Sequence, residues 1–196
     1  MANFNAIGAI SAALAGLIKD NYPRDDFGTA LHVQLYQTRN FESPMEEGFS
    51  IYLYRVAING SVRNTNYRRM PDGRRFKPSL PLDLHYMITP WAEDTERQHR
   101  MLGWVMRMFE DIGTLNSVYL NDYAAATGNV FMDTESVDVI CDPLALNDYL
   151  TIWDRLRTLP LSITYVLRMV MIDSEVNITD GPLVQTRSFD IGEVIS

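Results

Sequence analysis

Three histidines, one cysteine and adjacent acids such as Glu46-Glu47 and Glu93-Asp94 are the residues of this 196-residue chain whose types suit catalysis. His32, His85 and His99 would need convergent cysteine, histidine or carboxylate partners at metal-ligand spacing to hold zinc. Asp83 and His85 fall on one face of an alternating stretch, but no third ligand is signalled. His99 lies in a helical pattern without the His-Glu-x-x-His spacing. Cys141 has no nearby histidine to accept its proton. Glu46 with Glu47 reads as a solvated loop, and Glu93 with Asp94 as a helix start; neither pair can be set across a cleft from spacing alone. Phosphate loops, dinucleotide fingerprints and nucleophile elbows are missing from the sequence. The expectation is a non-enzyme with no catalytic residue, no metal and no cofactor.

A charge pattern is more informative. Arg55, Arg63, Arg68, Arg69, Arg74, Arg75 and Lys77 are seven of the chain's 17 basic residues, and Asp72 is the one acid among them. The other 24 acids lie elsewhere, so the chain is electrically two-sided around a net charge of -8. Three readings stand. The segment is a solvated loop with local ion pairs. Or it docks on an acidic surface, where the planar guanidinium pairs with carboxylates. Or it holds a phosphate backbone, with Asn64, Asn66, Tyr67 and Phe76 interleaved, although no nucleic-acid recognition motif accompanies them. The acidic remainder argues against nucleic acid meeting the whole surface.

The elements that must position this segment follow from periodicity. Residues 3–20 predict an Ala-rich buried helix with Ala6, Ile7, Ile10, Leu14, Leu17 and Ile18 inward. It lacks the basic lead of a signal peptide. Residues 31–36 predict a strand. Residues 49–58 predict another with two apolar faces, which suits either a central strand or one at a subunit interface. Residues 59–79 form a connection longer than ordinary loops, with a turn signal at Asp72-Gly73 and the makings of a short hairpin. A strand from Pro81 puts Leu82, Leu84, Tyr86 and Ile88 on one face and is expected to break at Pro90. Trp91 after it suits an interface or a buried anchor equally. Thr95 with Gln98 predicts a capping box opening a helix to Asp111, with Met101, Leu102, Val105, Met106, Met108 and Phe109 as packing residues. Beyond it, 116–126 suggests a short helix and 129–140 a strand. Asp142-Pro143 suggests a cap for a helix to 157, with Leu146, Tyr149, Leu150, Trp153 and Leu156 inward. Residues 161–172 form a strong strand. The tail turns at Asp180-Gly181-Pro182 and ends in a run suited to a sheet edge.

The size and the 46% hydrophobic content fit one globular domain with a real core. A lone cysteine excludes an intramolecular disulfide. No stretch reaches the ~20 apolar residues of a membrane span. These features lead to an expectation of an α+β fold: a mixed or antiparallel sheet packed by about three helices over residues 1–173, with a C-terminal tail over 174–196.

Four segments carry a resemblance. They are the N-terminal helix; IYLYRVAINGSVRN over residues 51–64; the Leu-Asp-Leu-His-Tyr strand with His99-Arg100-Met101-Leu102-Gly103 after it; and Trp153 followed by LPLSITYVLRMVMID. In this order and separation they resemble the tail-terminator, or cap, proteins of phage-tail-like contractile injection systems. The resemblance implies a homo-hexameric ring that closes the distal end of an inner tube and its contractile sheath and so fixes length. The implied partners are further copies of the chain, the inner tube protein and the sheath protein, with no nucleic acid and no membrane insertion. The implied location is the cytoplasm during assembly and the particle afterwards. Some family members continue beyond this length. Arg63, Arg68, Arg69, Arg74, Arg75 and Lys77 are the candidate residues for the ring or tube contact. Two competitors remain: a terminator or connector of a DNA phage, and a small regulatory domain that binds an anion.

Overall fold

The structure is a computed structural model that describes residues 2–28, 31–62, 66–124, 128–156 and 160–178. Its frame is one six-stranded sheet. The strands are β1 (His32–Leu35), β2 (Gly48–Ile58), β5 (Leu80–Trp91), β6 (Thr114–Asn116), β7 (Ser136–Cys141) and β8 (Ile163–Ile172). They lie in the order β1-β2-β5-β8-β7-β6, parallel only between β1 and β2. A separate hairpin is made by β3 (Arg68–Arg69) and β4 (Arg75–Phe76). The helices are α1 (Ala6–Asn21), α2 (Arg24–Phe27), α3 (Thr95–Ile112), α4 (Ser117–Asp122) and α5 (Leu146–Leu156). The expected mixed sheet is therefore present. The three long helices match the expected number, α4 falls where a short helix was expected over 116–126, and α2 is too short for periodicity to reveal.

β5 pairs with β2 on one side and β8 on the other. Its even-numbered residues Leu82, Leu84, Tyr86 and Ile88 are buried beneath α1 and α3. α1 contributes Ala6, Ala9, Ile10, Ala13, Leu14, Leu17 and Ile18, while Ile7 is half-buried. α3 contributes Met101, Val105, Met108 and Phe109; Met106 is exposed, not packed as its spacing suggested. A polar contact within this layer joins the Tyr86 hydroxyl to Ser11 Oγ at 2.8 Å. Burial pushes the Tyr86 hydroxyl pKa up, so the group stays protonated. A smaller cluster covers part of the opposite face, where Tyr36, Phe41 and Leu156 pack with Tyr52, Trp91 and Ile152.

Several expectations need correction. β5 does not break at Pro90: it runs on to Trp91, with Phe49 opposite Pro90. The pairing with β8 has ended at Ile88, so Pro90 sits where β5 has one neighbour, a position where proline is tolerated. Trp91 is an anchor, with its indole N–H donating to Ser50 Oγ at 2.8 Å. The α3 cap is Asp94, not Thr95: its carboxylate accepts from the Arg97 N–H at 2.7 Å, and the Gln98 amide turns away to the Pro90 carbonyl. The β7 strand begins only at Ser136. Before it, the Asn121 side chain accepts from the Val130 and Phe131 N–H groups and donates to the Phe131 carbonyl, holding that stretch as a loop. α5 starts at Leu146, which is 71% exposed, and Leu150 is also exposed. Its inward residues are Ile152 and Leu156, because the surface it covers is the small aromatic cluster. The Trp153 side chain and the turn at 180–182 lie outside the described residues.

Gly16 shows how closely α1 is packed. A Cβ there would overlap the Tyr123 ring, whose hydroxyl donates to Asp20 Oδ2 at 2.6 Å. Glycine to alanine in a helix interior normally stabilises by about 1 kcal/mol. Here Gly16→Ala should instead lower the thermal midpoint, read by circular dichroism, because the ring must move. Leu84→Ala, at a fully buried site on β5, should cost about 2–5 kcal/mol in a denaturant melt.

Candidate interaction surface

The arginine-rich connection is neither a plain loop nor an isolated hairpin. β3 and β4 pair Arg68 with Phe76 and Arg69 with Arg75. Met70 donates to the Arg74 carbonyl and Gly73 to the Met70 carbonyl, each at 2.9 Å. Gly73 has φ of 84°, a backbone that favours glycine. β4 then gains a partner on its other side. Phe76 bridges to Asn177, Lys77 donates to the Val176 carbonyl, and Ile178 donates to the Arg75 carbonyl. The chain past β8 therefore runs along β4, which ties the β3–β4 ribbon to the end of the β5–β8 pair as a short arm.

Aromatic rings hold the cations in this arm. The Arg68 and Arg74 guanidinium groups lie 5.0 and 5.7 Å from the centre of the Phe76 ring. Those of Arg69 and Arg75 lie 5.3 and 5.2 Å from the Tyr67 ring. Such contacts are worth about 0.5–1 kcal/mol each at exposed sites. Arg69 also donates to Tyr67 Oη at 2.7 Å. That bond first, and a second with Arg75, hold the Tyr67 hydroxyl below its ordinary pKa. Arg74 pairs with Asp72 in the turn at 2.6 Å. Arg68 reaches back to the sheet: it pairs with Asp173 Oδ2 at 3.0 Å, and Asp173 Oδ1 accepts from Ser79 Oγ at 2.6 Å. The arm thus brings Arg68, Arg69, Arg74, Arg75 and Lys77 together on one short ribbon. Arg63 lies outside the described residues.

The groups with catalytic potential are dispersed. His85 Nδ1 is 3.4 Å from Asp142 Oδ2 and its ring lies 5.9 Å from that of Tyr54. Burial first, then the Asp142 charge, pushes the Tyr54 hydroxyl up to about 12. Asp83, instead of joining His85, accepts from the Asn59 amide and from the Met169 N–H. His32 and His99 are exposed on β1 and α3. No group of three metal-ligating side chains occurs among the described residues. Among those residues, no helix is long and apolar enough to cross a membrane.

Comparison with known proteins places this geometry. The fold is that of tube-terminating proteins. One solved chain, described as the PVC sheath/tube terminator of an extracellular contractile injection system in the extended state, superposes with a TM-score of 0.62 at 14% identity. The match covers 97% of this chain and 64% of that one. A second, the tube-terminating cap of the anti-feeding prophage, gives 0.56 at 13% identity, covering 95% and 60%. The chain thus spans slightly under two thirds of the length of either. The sequence profile of the Pvc16 N-terminal domain family matches residues 9–186, and the chain belongs to that family. No curated protein sequence matches it.

Sequence reasoning found the cations but missed the residues that hold them. Asp173 and Asn177 lie a hundred positions away, and only the β5–β8 pairing brings them to the arm. Arg68→Ala should speed amide hydrogen exchange over residues 67–77 by tenfold or more while leaving the global melt nearly unchanged. Arg69→Ala, which breaks no tie to the sheet, should leave that exchange almost as it is. A second check concerns Cys141. Burial, Glu110 and Asp142 raise its thiol pKa, so less thiolate is present at any pH. Its alkylation by a maleimide at pH 7 should be slower than that of free cysteine and should recover as pH rises.

Proposed function

We propose that this chain is the structural cap of a contractile injection system. Copies form a homo-hexameric ring that binds the distal end of the inner tube and sheath, ends polymerisation and fixes length. The observation that carries this reading is a terminator fold extending over nearly the whole chain, arm included. A cap presents one surface to the last tube ring and none that recruits another ring. Six copies in a ring need head-to-tail contacts made by two complementary patches on each copy. The chain has the charge asymmetry for this: a basic arm and an acidic remainder.

Within this reading, Arg63, Arg68, Arg69, Arg74, Arg75 and Lys77 dock on an acidic surface of the tube or of the neighbouring copy. Guanidinium groups stacked on Tyr67 and Phe76 lose less freedom on docking than free side chains would. Nucleic acid and membrane insertion have no part in the assembly. The particle forms in the cytoplasm.

Reversing Arg68, Arg69, Arg74 and Arg75 to Glu should leave the fold intact and abolish capping. In particles assembled with this variant, electron microscopy should show tubes of broadened length, and the variant should be lost from purified particles. Wild-type lengths with the variant bound at the tube end would remove the arm from the mechanism.

A further inference from the structure

β2 and β7 each carry a half that the sheet leaves open. β1 pairs with β2 only from Gly48 to Ile51. From Tyr52 to Ile58, no described strand lies along that side of β2. At the other edge, β6 pairs with β7 only from Ser136 to Asp138, which leaves Val139–Cys141 open apart from one bond from the Val139 N–H to the Gly113 carbonyl. Open edges invite pairing with another chain and are usually blunted. Here the β2 edge keeps apolar side chains in solvent: Val56 is 47% and Ile58 50% exposed.

The two open halves are at the same level. Leu53, Tyr86, Tyr165 and Cys141 form one row across β2, β5, β8 and β7. Arg55, His85, Val166 and Ile140 form the next, and Val56, Leu84, Leu167 and Val139 the one after. β2 and β7 run in opposite directions, since three antiparallel pairings separate them. A copy displaced sideways along the sheet therefore sets its β2 antiparallel to the β7 of its neighbour. β1 on one side and β6 on the other stand clear of the levels that meet.

The charges are complementary too. The open part of β2 carries exposed Arg55 and leads into the basic arm. Around the open part of β7, exposed Glu110 and half-exposed Asp142 lie near Cys141, and exposed Asp138 sits just beyond it where β6 begins. Like edges would repel, so the favourable meeting is head to tail, the arrangement that closes a ring.

We infer that the partner of the open β2 edge is a second copy of this chain, whose β7 adds to it through residues 52–56 and 139–141, so that the sheets join across the subunit boundary. This inference rests on the ring reading and assigns its contact to these two edges.

The sole cysteine makes the contact testable. Cys141 lies on the β7 edge at the level of Leu53. Within one copy these positions are three strand spacings apart, about 14 Å, too far for a disulfide. Leu53→Cys and Val56→Cys are made separately in the full chain, assembled on tubes or as rings, and oxidised at pH 9. The expected result, for at least one of them, is a ladder of linked copies on a non-reducing gel. That ladder should be lost when Cys141→Ser is added and be absent from the parent chain. Val56 is exposed, so its variant does not strain the core. Rings visible by electron microscopy without a ladder from either variant would overturn the edge contact and leave the cap reading intact. A parent chain that neither forms rings nor binds tubes would overturn both.

Discussion

The fold depends on one strand being satisfied on every side. β5 gives hydrogen bonds to β2 and to β8, buries its even face under α1 and α3, and places a tyrosine hydroxyl in that layer against Ser11. A buried hydroxyl without a partner costs about 1–3 kcal/mol, so α1 can sit in few ways over this strand. Gly16 narrows the choice further, because only glycine leaves room for the Tyr123 ring. With α1 fixed, β1 is placed beside β2, and α4 beside α1. The other face of β5 is covered in part by the aromatic cluster near Trp91.

Electrostatics in the arm follow a different logic from electrostatics in the sheet. In the arm, cations rest on ring faces and on two carboxylates, Asp72 and Asp173, which leaves a local excess of positive charge. Around α3, ions are paired locally. Arg97 joins Glu47, and Arg107 joins Asp111 along α3. Exposed pairs of this kind contribute little to stability. A concentrated excess of one sign next to an acidic remainder is more useful for choosing a partner and an orientation than for holding the fold.

What the sequence made legible was what repeats with a short period. The faces of α1, α3, β5 and β8 follow from spacing, and the turn at Asp72-Gly73 from residue type. What was not legible depended on distant partners. Pro90 could remain in a strand because β8 stops at Ile88. The parallel pairing of β1 with β2 has no sequence signature. α5 turned Ile152 inward beside the expected Leu156 and left Leu146 and Leu150 exposed, because its target was a small cluster assembled from β2, the end of β5 and the segment between β1 and β2. The arginines were found by counting charge, but their anchoring on Asp173 required the β5–β8 register. The family resemblance rested on the order of segments, which survives where individual residues do not, as 13–14% identity to the solved caps illustrates.

The bulges on either side of β5 have a mechanical consequence. β2 shifts register between Leu53 and Arg55, and β8 shifts opposite Leu82 and Leu84, where Met169 takes φ of 64°. Bulges bend and twist a sheet locally, and these two lie on the strands that lead to the arm. Yet the arm stays tied to the ends of β5 and β8 by the Phe76–Asn177 bridge, by the Lys77 and Ile178 N–H bonds and by the Arg68–Asp173 pair. Tension on the arm along the strand axes then loads these bonds in shear together, rather than opening them one at a time from an end. Backbone bonds resist the first kind of load much better than the second.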